Sequence, residues 1–379
     1  MSSPHILFAA YQSGRGSNGG MESATRIFEA LANDFRWTLL TNRETARTAR
    51  WRAGRAEVKL FAFDEEARPS RRLWQLGLTT ARAVAPARRA DVLHANDIRA
   101  LRILRPVAQM TRRPLAFTLR DTKPPEEQYP DHWHRAVRKL DALVTLSDDM
   151  ARFVGDRLPI AQDRRHTIGS IVDLDAFSPP TVQERKALRA KLGIAPGEIA
   201  IVMAAGVFAK KRQLEVIRLV APQLLDLPVR FHMVGDFAPE TELYARTCAA
   251  VVEELGFSER VLFHGFRPDV ADWLAAADIV LVASEREGLA RCMIEAMACG
   301  TPVVSVDVSS AHEMLLRTGA GLVTGADDWQ GLAQALRVLA ADPDRRTAMG
   351  RAGRATAEAR FSSAQVAQAW RQLYLGLAR

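Results

Sequence analysis

Short apolar runs alternate with longer stretches of helical periodicity along the first half of the chain. The stretch MESATRIFEALAN, for example, has apolar residues spaced three and four apart, which predicts an amphipathic helix. This alternation predicts a parallel sheet covered by helices on both faces. The predicted strands are HILFAA (5–10), WTLLT (37–41), VKLFAF (58–63), VLHA (92–95), PLAFTL (114–119) and ALVTLS (142–147).

A polar, proline-containing stretch at 174–197 interrupts the alternation and is typical of a linker with one short helix. The alternation then resumes, and after about residue 343 only helical periodicity remains. The pattern predicts two doubly wound, Rossmann-like α/β domains at 1–178 and 179–360, followed by a helix at 361–379. In such sheets ligands bind beyond the carboxyl ends of the strands. The strands predicted in the second domain are IAIVMAAG (199–206), VRFHMVG (229–235), VLFHG (261–265), DIVLVAS (278–284) and PVVSV (302–306).

The composition is that of a globular protein, with 48% hydrophobic and 25% charged residues among 379. Its formal net charge of +8 is unevenly distributed. Residues 1–180 hold 29 Lys and Arg against 21 Asp and Glu, whereas residues 181–379 hold 23 of each. The excess in the first half favours an anionic membrane surface or a phosphorylated glycan as partner. A nucleic-acid partner is suggested only by the isoelectric point, since the aromatic residues are not clustered, and we expect none.

Cysteine usage and the N-terminus favour a cytoplasmic protein. Cys248, Cys292 and Cys299 lack the spacing of a disulfide framework or of a zinc site. The apolar stretch near the N-terminus has about six residues, which is too short for a signal-peptide core or a membrane helix. We expect a soluble cytoplasmic protein that can also be peripheral on the inner face of the cytoplasmic membrane.

The most informative segment is SEREGLARCMIEAMACGTPVV (284–304), which directly follows a predicted strand. Glu287 lies in the loop that enters the next helix, and Glu295 lies inside that helix. The unpaired backbone N–H groups of residues 289–292 and the helix dipole favour a phosphate at this position. The carboxylates can accept hydrogen bonds from ribose or sugar hydroxyls. Two glutamates at this spacing are usually both exposed to solvent. Here the surrounding strand, loop and helix favour a ligand-binding site.

This element resembles the nucleotide-sugar site of retaining GT-B glycosyltransferases of glycosyltransferase family 4. Further segments resemble the same family in the same order along the chain: GSNGGMES (16–23), VDLDAFSP (172–179), VGDFAPE (234–240), VLFHGF (261–266) and RFSSAQVAQAW (360–370). The resemblance implies a GT-B fold, in which two Rossmann-like domains face each other across a cleft and the final helix crosses back to the first domain. It also implies that Glu287 contacts the donor sugar and that Glu295 contacts the ribose.

The activity implied by this resemblance is transfer of a hexosyl group, with retention of the anomeric configuration, from a UDP- or GDP-linked sugar. The acceptor would be a glycan or a lipid-linked glycan in bacterial cell-surface polysaccharide or lipopolysaccharide assembly. The first domain would bind the acceptor and the second the donor. An inverting transferase, a nucleotide-sugar epimerase or a non-catalytic nucleotide-sugar-binding module are the alternatives.

A second segment, GVFAKKRQLEVI (206–217), carries the positive charge that a diphosphate leaving group needs. In the family an Arg follows the glycine, and here Val207 stands in its place. Lys211 matches the family lysine, and Lys210 or Arg212 is expected to replace the missing Arg. A solvated basic turn is the alternative interpretation for each of the three. The predicted donor-binding residues are Gly206, Lys210, Lys211, Arg212, Gly235, Gly288, Leu289, Ala290, Arg291, Cys292 and Glu295.

The first domain supplies the predicted acceptor side. Its glycine loop fits a dinucleotide-binding pattern, G-x-G-x-x-G, but the acidic residue expected about twenty positions later is missing. Two family histidines are replaced by Arg120 and Asn96. Arg120 can bind a carboxylate or phosphate, or it can form an ion pair with Asp121. The residues predicted on this side are Gly19, Gly20, Glu22, Asn96 and Asp121, and the predicted catalytic residues are Glu287, Lys211 and Arg120.

Two strings, DLD (173–175) and DPD (342–344), formally match a metal–diphosphate motif. Neither follows a predicted strand end: the first lies in the linker and the second at a helix start, where Asp-Pro is a common cap. We therefore expect no essential metal and no cofactor besides the nucleotide-sugar co-substrate.

Overall fold

The computed structural model describes residues 3–12, 19–61, 68–122, 127 and 129–379. The chain divides into two compact units, one of Met1–Ile171 with Ser363–Arg379 and the other of Val172–Ser362. The boundaries expected from the sequence, 178 and 360, lie a few residues away from these divisions. Among the described residues, no helix has both the length and the apolar character needed to span a bilayer.

The first unit contains a seven-stranded parallel sheet in the order β3-β2-β1-β4-β5-β6-β7. Its strands are β1 (His5–Ala9), β2 (Arg36–Thr41), β3 (Glu57–Leu60), β4 (Val92–Ala95), β5 (Leu115–Thr118), β6 (Ala142–Thr145) and β7 (Arg165–Thr167). Its helices are α1 (Gly19–Leu31), α2 (Ala46–Ala53), α3 (Pro69–Arg89), α4 (Ile98–Thr111), α5 (Asp131–Val137), α6 (Asp148–Gly155) and α14 (Ser363–Leu377). The six predicted strands are confirmed, and the edge strand β7 was not predicted.

The second unit contains a six-stranded parallel sheet in the order β10-β9-β8-β11-β12-β13. Its strands are β8 (Ile199–Ala204), β9 (Val229–Val234), β10 (Val261–Phe263), β11 (Ile279–Val282), β12 (Val303–Val306) and β13 (Gly321–Thr324). Its helices are α7 (Val182–Leu192), α8 (Gln213–Glu215), α9 (Leu243–Glu254), α10 (Val270–Ala276), α11 (Arg291–Ala298), α12 (Trp329–Ala341) and α13 (Pro343–Phe361). Short 3-10 and π-helical turns cover Ala209–Lys211, Val216–Val220, Ala221–Leu224 and His312–Leu316.

Aromatic side chains form much of the core of the first unit. Phe28 stacks on Trp51 with ring centroids 4.2 Å apart, and the Trp37 ring packs edge-on against both. The last helix, α14, belongs to this core, because Tyr374 is fully buried and its hydroxyl lies 2.6 Å from Nδ1 of His94. Burial contributes roughly 1.5–3 kcal/mol for each such large side chain. The predicted return of the final helix to the first domain is confirmed.

Helix α7 is the short helix predicted in the linker, and its ends follow from its sequence. Thr181 and Glu184 form a reciprocal capping box at its start, and Gly193, at φ +73°, ends it in a left-handed conformation. Arg189 then holds the helix against the second sheet by donating to Asp278 at 2.9 Å. Asp278 directly precedes β11, so α7 is fixed at the amino-terminal end of that strand.

Candidate functional site in the second unit

The loops that follow β8 and β9 are packed so closely that one position must be glycine. A Cβ atom on Gly235 would lie 2.2 Å from the carbonyl oxygen of Ala205. Backbone hydrogen bonds join the loop after β9 to the loop after β8, from Val207 N–H to Asp236 O at 2.8 Å, and to the loop after β10, from Gly235 N–H to Gly265 O at 2.9 Å. The backbone at the carboxyl ends of these strands is therefore held in a fixed arrangement, which a rigid ligand site requires.

The loop after β8 also meets the loop after β11, where two predicted site residues form an ion pair. The backbone N–H of Glu285 donates to Lys210 O at 2.9 Å. This contact places Lys211 beside Glu287, and its Nζ contacts the Glu287 carboxylate. Both side chains are mostly buried, with 20% and 16% of their areas exposed. The predicted lysine and the predicted sugar-side glutamate are thus in direct contact.

Helix α11 begins at Arg291 behind a tightly packed loop. Gly288, Leu289 and Ala290 are buried, and Ala290 is the N-cap residue. Among the residues that the structure describes, no side chain caps this helix. Its first turn therefore presents backbone N–H groups and the positive end of the helix dipole, a combination that binds phosphate. This is the position at which the sequence predicts the donor phosphates.

Glu295 lies just over one turn into α11 and is buried, with 8% of its area exposed. Its carboxylate is bound by the guanidinium of Arg291, one turn earlier in the same helix. Arg291 was predicted to contribute its backbone N–H group only, although the i,i+4 spacing of the two residues is a sequence signal for this ion pair. Cys292 lies beside these groups, and burial raises the pKa of its thiol to about 12, so the thiol is protonated at neutral pH.

Two other residues that were predicted to bind the donor, Arg212 and Gly206, have mainly structural contacts. Arg212 has a left-handed backbone at φ +58°, and its Nη1 donates to Ala326 O at 2.8 Å in the loop after β13. The same nitrogen lies 3.0 Å from the Asp327 carboxylate. The carbonyl oxygen of Gly206 accepts a hydrogen bond from the Gln213 side chain at 2.8 Å. The Arg212 guanidinium is thus engaged by the β13 loop.

In the first unit the structure brings together three of the predicted residues at the ends of β4 and β5. Asn96 accepts a hydrogen bond from Arg120 Nε at 3.1 Å and donates to Gly20 O at 3.4 Å. Gly19 and Gly20 are the first residues of α1, not part of the preceding loop as expected. The other glycines of the dinucleotide-like pattern, at 14 and 16, lie outside the described residues.

The remaining predicted residues of the first unit are engaged locally. Glu22 forms ion pairs with three arginines, with nitrogen–oxygen distances of 3.3 Å to Arg26, 3.0 Å to Arg47 and 3.0 Å to Arg50, and it accepts hydrogen bonds from the last two. Burial raises the pKa of this carboxyl, but the hydrogen bonds and charge of the arginines outweigh it, and the pKa falls below its usual value. The Asp121 carboxylate accepts from the Thr122 backbone N–H at 3.0 Å.

A partly buried carboxylate that was not among the predicted site residues lies next to Asn96. Asp97 is the N-cap of α4 and accepts from the backbone N–H groups of Arg99 and Ala100, each at 2.9 Å. It also accepts from Tyr11 N–H at 2.7 Å, and burial raises its pKa. Its position in the sequence, directly after a strand and before an amphipathic helix, is the signal that would have predicted an N-cap residue here.

In each of the two DxD-like strings, the first aspartate has a local structural role, one at a helix cap and one in a turn. Asp342 is the N-cap of α13 and accepts from Arg345 N–H at 2.8 Å. In the linker string, Asp173 accepts from Ala176 N–H at 3.0 Å, which closes a turn. Both carboxylates therefore have local backbone partners of the kind that aspartates commonly find at turns and caps.

Residues 184–356 match the protein family described as "Glycosyl transferases group 1". The D-inositol 3-phosphate glycosyltransferase of Xylanimonas cellulosilytica is 32% identical over 249 residues, which cover 63% of this chain and 58% of that protein. The chain thus spans less than two thirds of that relative. The lipopolysaccharide core biosynthesis mannosyltransferase LpcC of Rhizobium leguminosarum bv. viciae is 28% identical over 298 residues, which cover 76% of this chain and 79% of LpcC.

Among solved structures, Anabaena Alr3699/HepE in complex with UDP superimposes with a TM-score of 0.82. It is 24% identical, and the match covers 99% of each chain. A complex of the same protein with UDP-glucose gives the same TM-score. This similarity shows that both proteins have the same two-sheet GT-B fold. The family match covers residues 184–356, which lie in the second unit, and the matched relatives are similar to this chain over about half to three quarters of its length.

Proposed function

We propose that this protein transfers a sugar from a nucleoside diphosphate sugar to an acceptor hydroxyl. The observation that carries the proposal is the uncapped start of α11 beside two cation–carboxylate pairs, Lys211 with Glu287 and Arg291 with Glu295. A nucleoside diphosphate sugar has both an anionic centre and hydroxyl-rich groups, so it matches both parts of this arrangement. The names of the relatives, an inositol phosphate glycosyltransferase and a mannosyltransferase, support the same activity.

The donor would lie with its diphosphate at the start of α11. Lys211 would neutralise charge that develops on the leaving phosphate, and Glu287 would accept hydrogen bonds from the sugar. Glu295 would accept hydrogen bonds from the ribose. The UDP and UDP-glucose complexes of the structural neighbour support a UDP-linked donor, and a GDP-linked donor is the second candidate.

We propose that the reaction retains the anomeric configuration. The bond between the anomeric carbon and the phosphate oxygen breaks, and the acceptor oxygen forms a bond to the same face of that carbon. The acceptor proton passes to the departing phosphate, so no protein side chain has to act as nucleophile. We also propose that no metal ion is required, because Lys211 and the α11 N-terminus supply the positive charge that the leaving group needs.

The acceptor is assigned to the first unit. Arg120, held by Asn96 beside the start of α1, is suited to bind a carboxylate or phosphate on a glycan or lipid-linked acceptor. The name of LpcC supports a role in lipopolysaccharide or cell-surface polysaccharide assembly. A negatively charged acceptor of this kind is also consistent with the charge excess in residues 1–180.

A membrane-facing role for α3 would bring the enzyme to a lipid-linked acceptor. Leu73 and Trp74 near the start of this helix are 70% and 67% exposed, and the neighbouring Arg71 and Arg72 are also exposed. Exposed Trp and Leu flanked by arginines are typical of a helix that lies on an anionic bilayer surface. A Leu73→Ser, Trp74→Ser variant should lose binding to vesicles that contain anionic lipid. Equal sedimentation with vesicles in both proteins would contradict this role.

A thermal-shift panel of UDP- and GDP-linked sugars tests the proposed function. The true donor should raise the melting temperature, because it binds the native state and not the unfolded chain. Incubation with that donor and acceptor glycans should then give a product whose anomeric configuration, read by NMR coupling constants, equals that of the donor. Stabilisation without turnover would indicate a binding module, and the opposite anomer would indicate an inverting enzyme. Absence of stabilisation by every nucleotide sugar would contradict the proposal.

A further inference from the structure

The first residue of α11 is an arginine that has not used all of its hydrogen-bond donors. Nη2 of Arg291 contacts the Glu295 carboxylate, but Nη1 is buried and has no hydrogen-bond partner among the described residues. The second unit is described without gaps, so this holds for every residue of the unit. Only 17% of the side chain is exposed. A buried guanidinium nitrogen without an acceptor is unfavourable, so an anionic ligand beside Arg291 would find a donor in place.

The charges around this arginine form two matched pairs. Lys211 contacts Glu287, and Arg291 contacts Glu295. Glu287 lies in the loop that enters α11, and Arg291 and Glu295 lie in the first turns of that helix. Both pairs therefore lie near the start of α11. Glu287 and Glu295 could each bind a hydroxyl group of a ligand. The cations that contact them, Lys211 and Arg291, could each bind a phosphate.

A diphosphate cannot bind next to two uncompensated carboxylates, because like charges at this range repel strongly in a partly buried site. Lys211 compensates one of the two carboxylates. Val207, at the position where the sequence analysis expected an arginine, is buried and uncharged. Arg212 is engaged by Ala326 and Asp327. Arg291, whose Nη1 has no acceptor, has contacts that suit a second phosphate-binding cation.

We propose that Arg291 binds the phosphates of the donor by exchanging its partner. In this structure Arg291 binds Glu295. When the donor binds, its guanidinium turns to a phosphate oxygen, satisfies the unused nitrogen and releases the Glu295 carboxylate for the ribose hydroxyls. This inference rests on the proposed function. It makes Arg291 a specificity-determining residue that favours phosphorylated nucleosides over nucleosides.

The exchange can be tested with nucleoside diphosphates and nucleosides as separate probes. In Arg291→Gln the side chain keeps an amide that can donate to Glu295 but loses its charge. We expect the affinity for UDP or GDP, whichever the wild type binds, to fall about tenfold to a hundredfold, as for loss of a charge-assisted hydrogen bond. The affinity for uridine or guanosine, read by competition, should change little. Arg291→Lys, which keeps the charge, should bind the diphosphate with intermediate affinity.

The controls separate this role from simple support of the helix. Arg351→Gln changes an exposed arginine on α13 and should leave both affinities unchanged. If Arg291 only stabilised α11, diphosphate and nucleoside would lose affinity equally in Arg291→Gln, which would overturn the inference. Diphosphate binding equal to wild type in Arg291→Gln would also overturn it, with the proposed function intact. Failure of the wild type to bind either nucleoside diphosphate would instead overturn both.

Discussion

Two helices that follow strands of the two sheets begin in opposite ways. In the first unit α4 is capped by the carboxylate of Asp97, which accepts from two backbone N–H groups in the first turn. In the second unit α11 begins at Arg291, and among the described residues no side chain caps it. The same architecture thus has one helix start that is already filled by an anion and one that can bind an external anion.

The acidic residues near these helix starts also differ between the two units, in the number of cations that contact each carboxylate. Glu22 in the first unit forms ion pairs with three arginines, whereas Glu287 and Glu295 each contact one cation among the described residues. A carboxylate with several partners loses more when a ligand displaces them. We therefore expect ligand chemistry to be concentrated in the second unit, and Glu22 to have a structural role in addition to any contact with an acceptor.

The largest expected effect comes from removing the charges beside α11. Lys211→Ala removes the cation that would stabilise the leaving phosphate, and Glu295→Ala removes the acceptor for ribose hydroxyls. Each should lower kcat/KM for sugar transfer on the order of a hundredfold or more, Lys211→Ala because it removes an electrostatic group that acts in the transition state, and Glu295→Ala because it removes charge-assisted hydrogen bonds to the donor. The rates are measured with the donor identified by thermal shift. Arg351→Ala is the control, and wild-type rates in both site variants would contradict the assignment.

A carboxylate placed at the start of α11 would make it resemble α4. Ala290 is the N-cap residue and has an extended backbone, which suits a capping aspartate. Ala290→Asp should bind the helix N–H groups internally and repel the diphosphate, so donor affinity should fall about tenfold or more. Calorimetric titration measures this loss. Ala290→Ser, a neutral cap of similar size, should lose much less, and equal losses in the two variants would show that charge is not the cause.

The reciprocal change removes the cap of α4. Asp97→Ala leaves the N–H groups of Tyr11, Arg99 and Ala100 without their acceptor, which should cost about 1–3 kcal/mol of unfolding free energy. Urea unfolding followed by circular dichroism measures the loss. Donor affinity should stay at the wild-type value, since the change lies in the first unit. A parallel loss of donor affinity would contradict the separation of roles.

Acid should destabilise the protein through buried histidines. Burial holds the pKa of His94 well below 6.5, and burial together with nearby positive charge lowers that of His264 to about 4. Below pH 6.5 the unfolded chain binds protons that these folded residues do not, so stability should fall as the pH decreases from about 6.5 towards 4. Melting temperatures between pH 7 and 5 measure the slope. His94→Gln should show a smaller slope, and an unchanged slope would exclude His94 as a contributor.

The smallest expected effect is that of metal removal. Because Lys211 and the α11 N-terminus would supply the charge for the leaving group, dialysis against EDTA should leave the rate of sugar transfer within error of the untreated enzyme. The readout is the initial rate before and after addition of Mg²⁺ or Mn²⁺. A loss that either ion restores would show that a metal ion takes part.

Much of the fold could be predicted because buried parallel strands are apolar runs. β4 was predicted with its observed bounds, whereas the edge strands β7 and β13 were missed. β7 has the sequence Arg-His-Thr and is only partly buried, so it has no apolar signal. β13 is short, begins with glycine and is mostly half-buried. Edge strands are buried less completely, and their pairing depends on the neighbouring strand more than on their own side chains.

The residues of the candidate site could be predicted from the sequence, but the contacts between them could not. The spacing of Glu287 and Glu295 and the basic loop at 206–212 could be read from the sequence. The contact between Lys211 and Glu287 depends on how the loops after β8 and β11 pack, which no local pattern encodes. The same holds for Arg212, whose left-handed backbone leads its side chain to Ala326. Long-range contacts of this kind follow from the tertiary structure.

The central claim is that the second unit binds a nucleoside diphosphate through the charged groups at the start of α11. Its most direct test is calorimetric titration of wild type and Lys211→Ala with UDP and uridine, or with GDP and guanosine. The account predicts that the wild type binds the diphosphate far more tightly than the nucleoside, and that this preference shrinks by about tenfold or more in Lys211→Ala. An equal preference in both proteins, or a wild type that binds neither diphosphate, would contradict it.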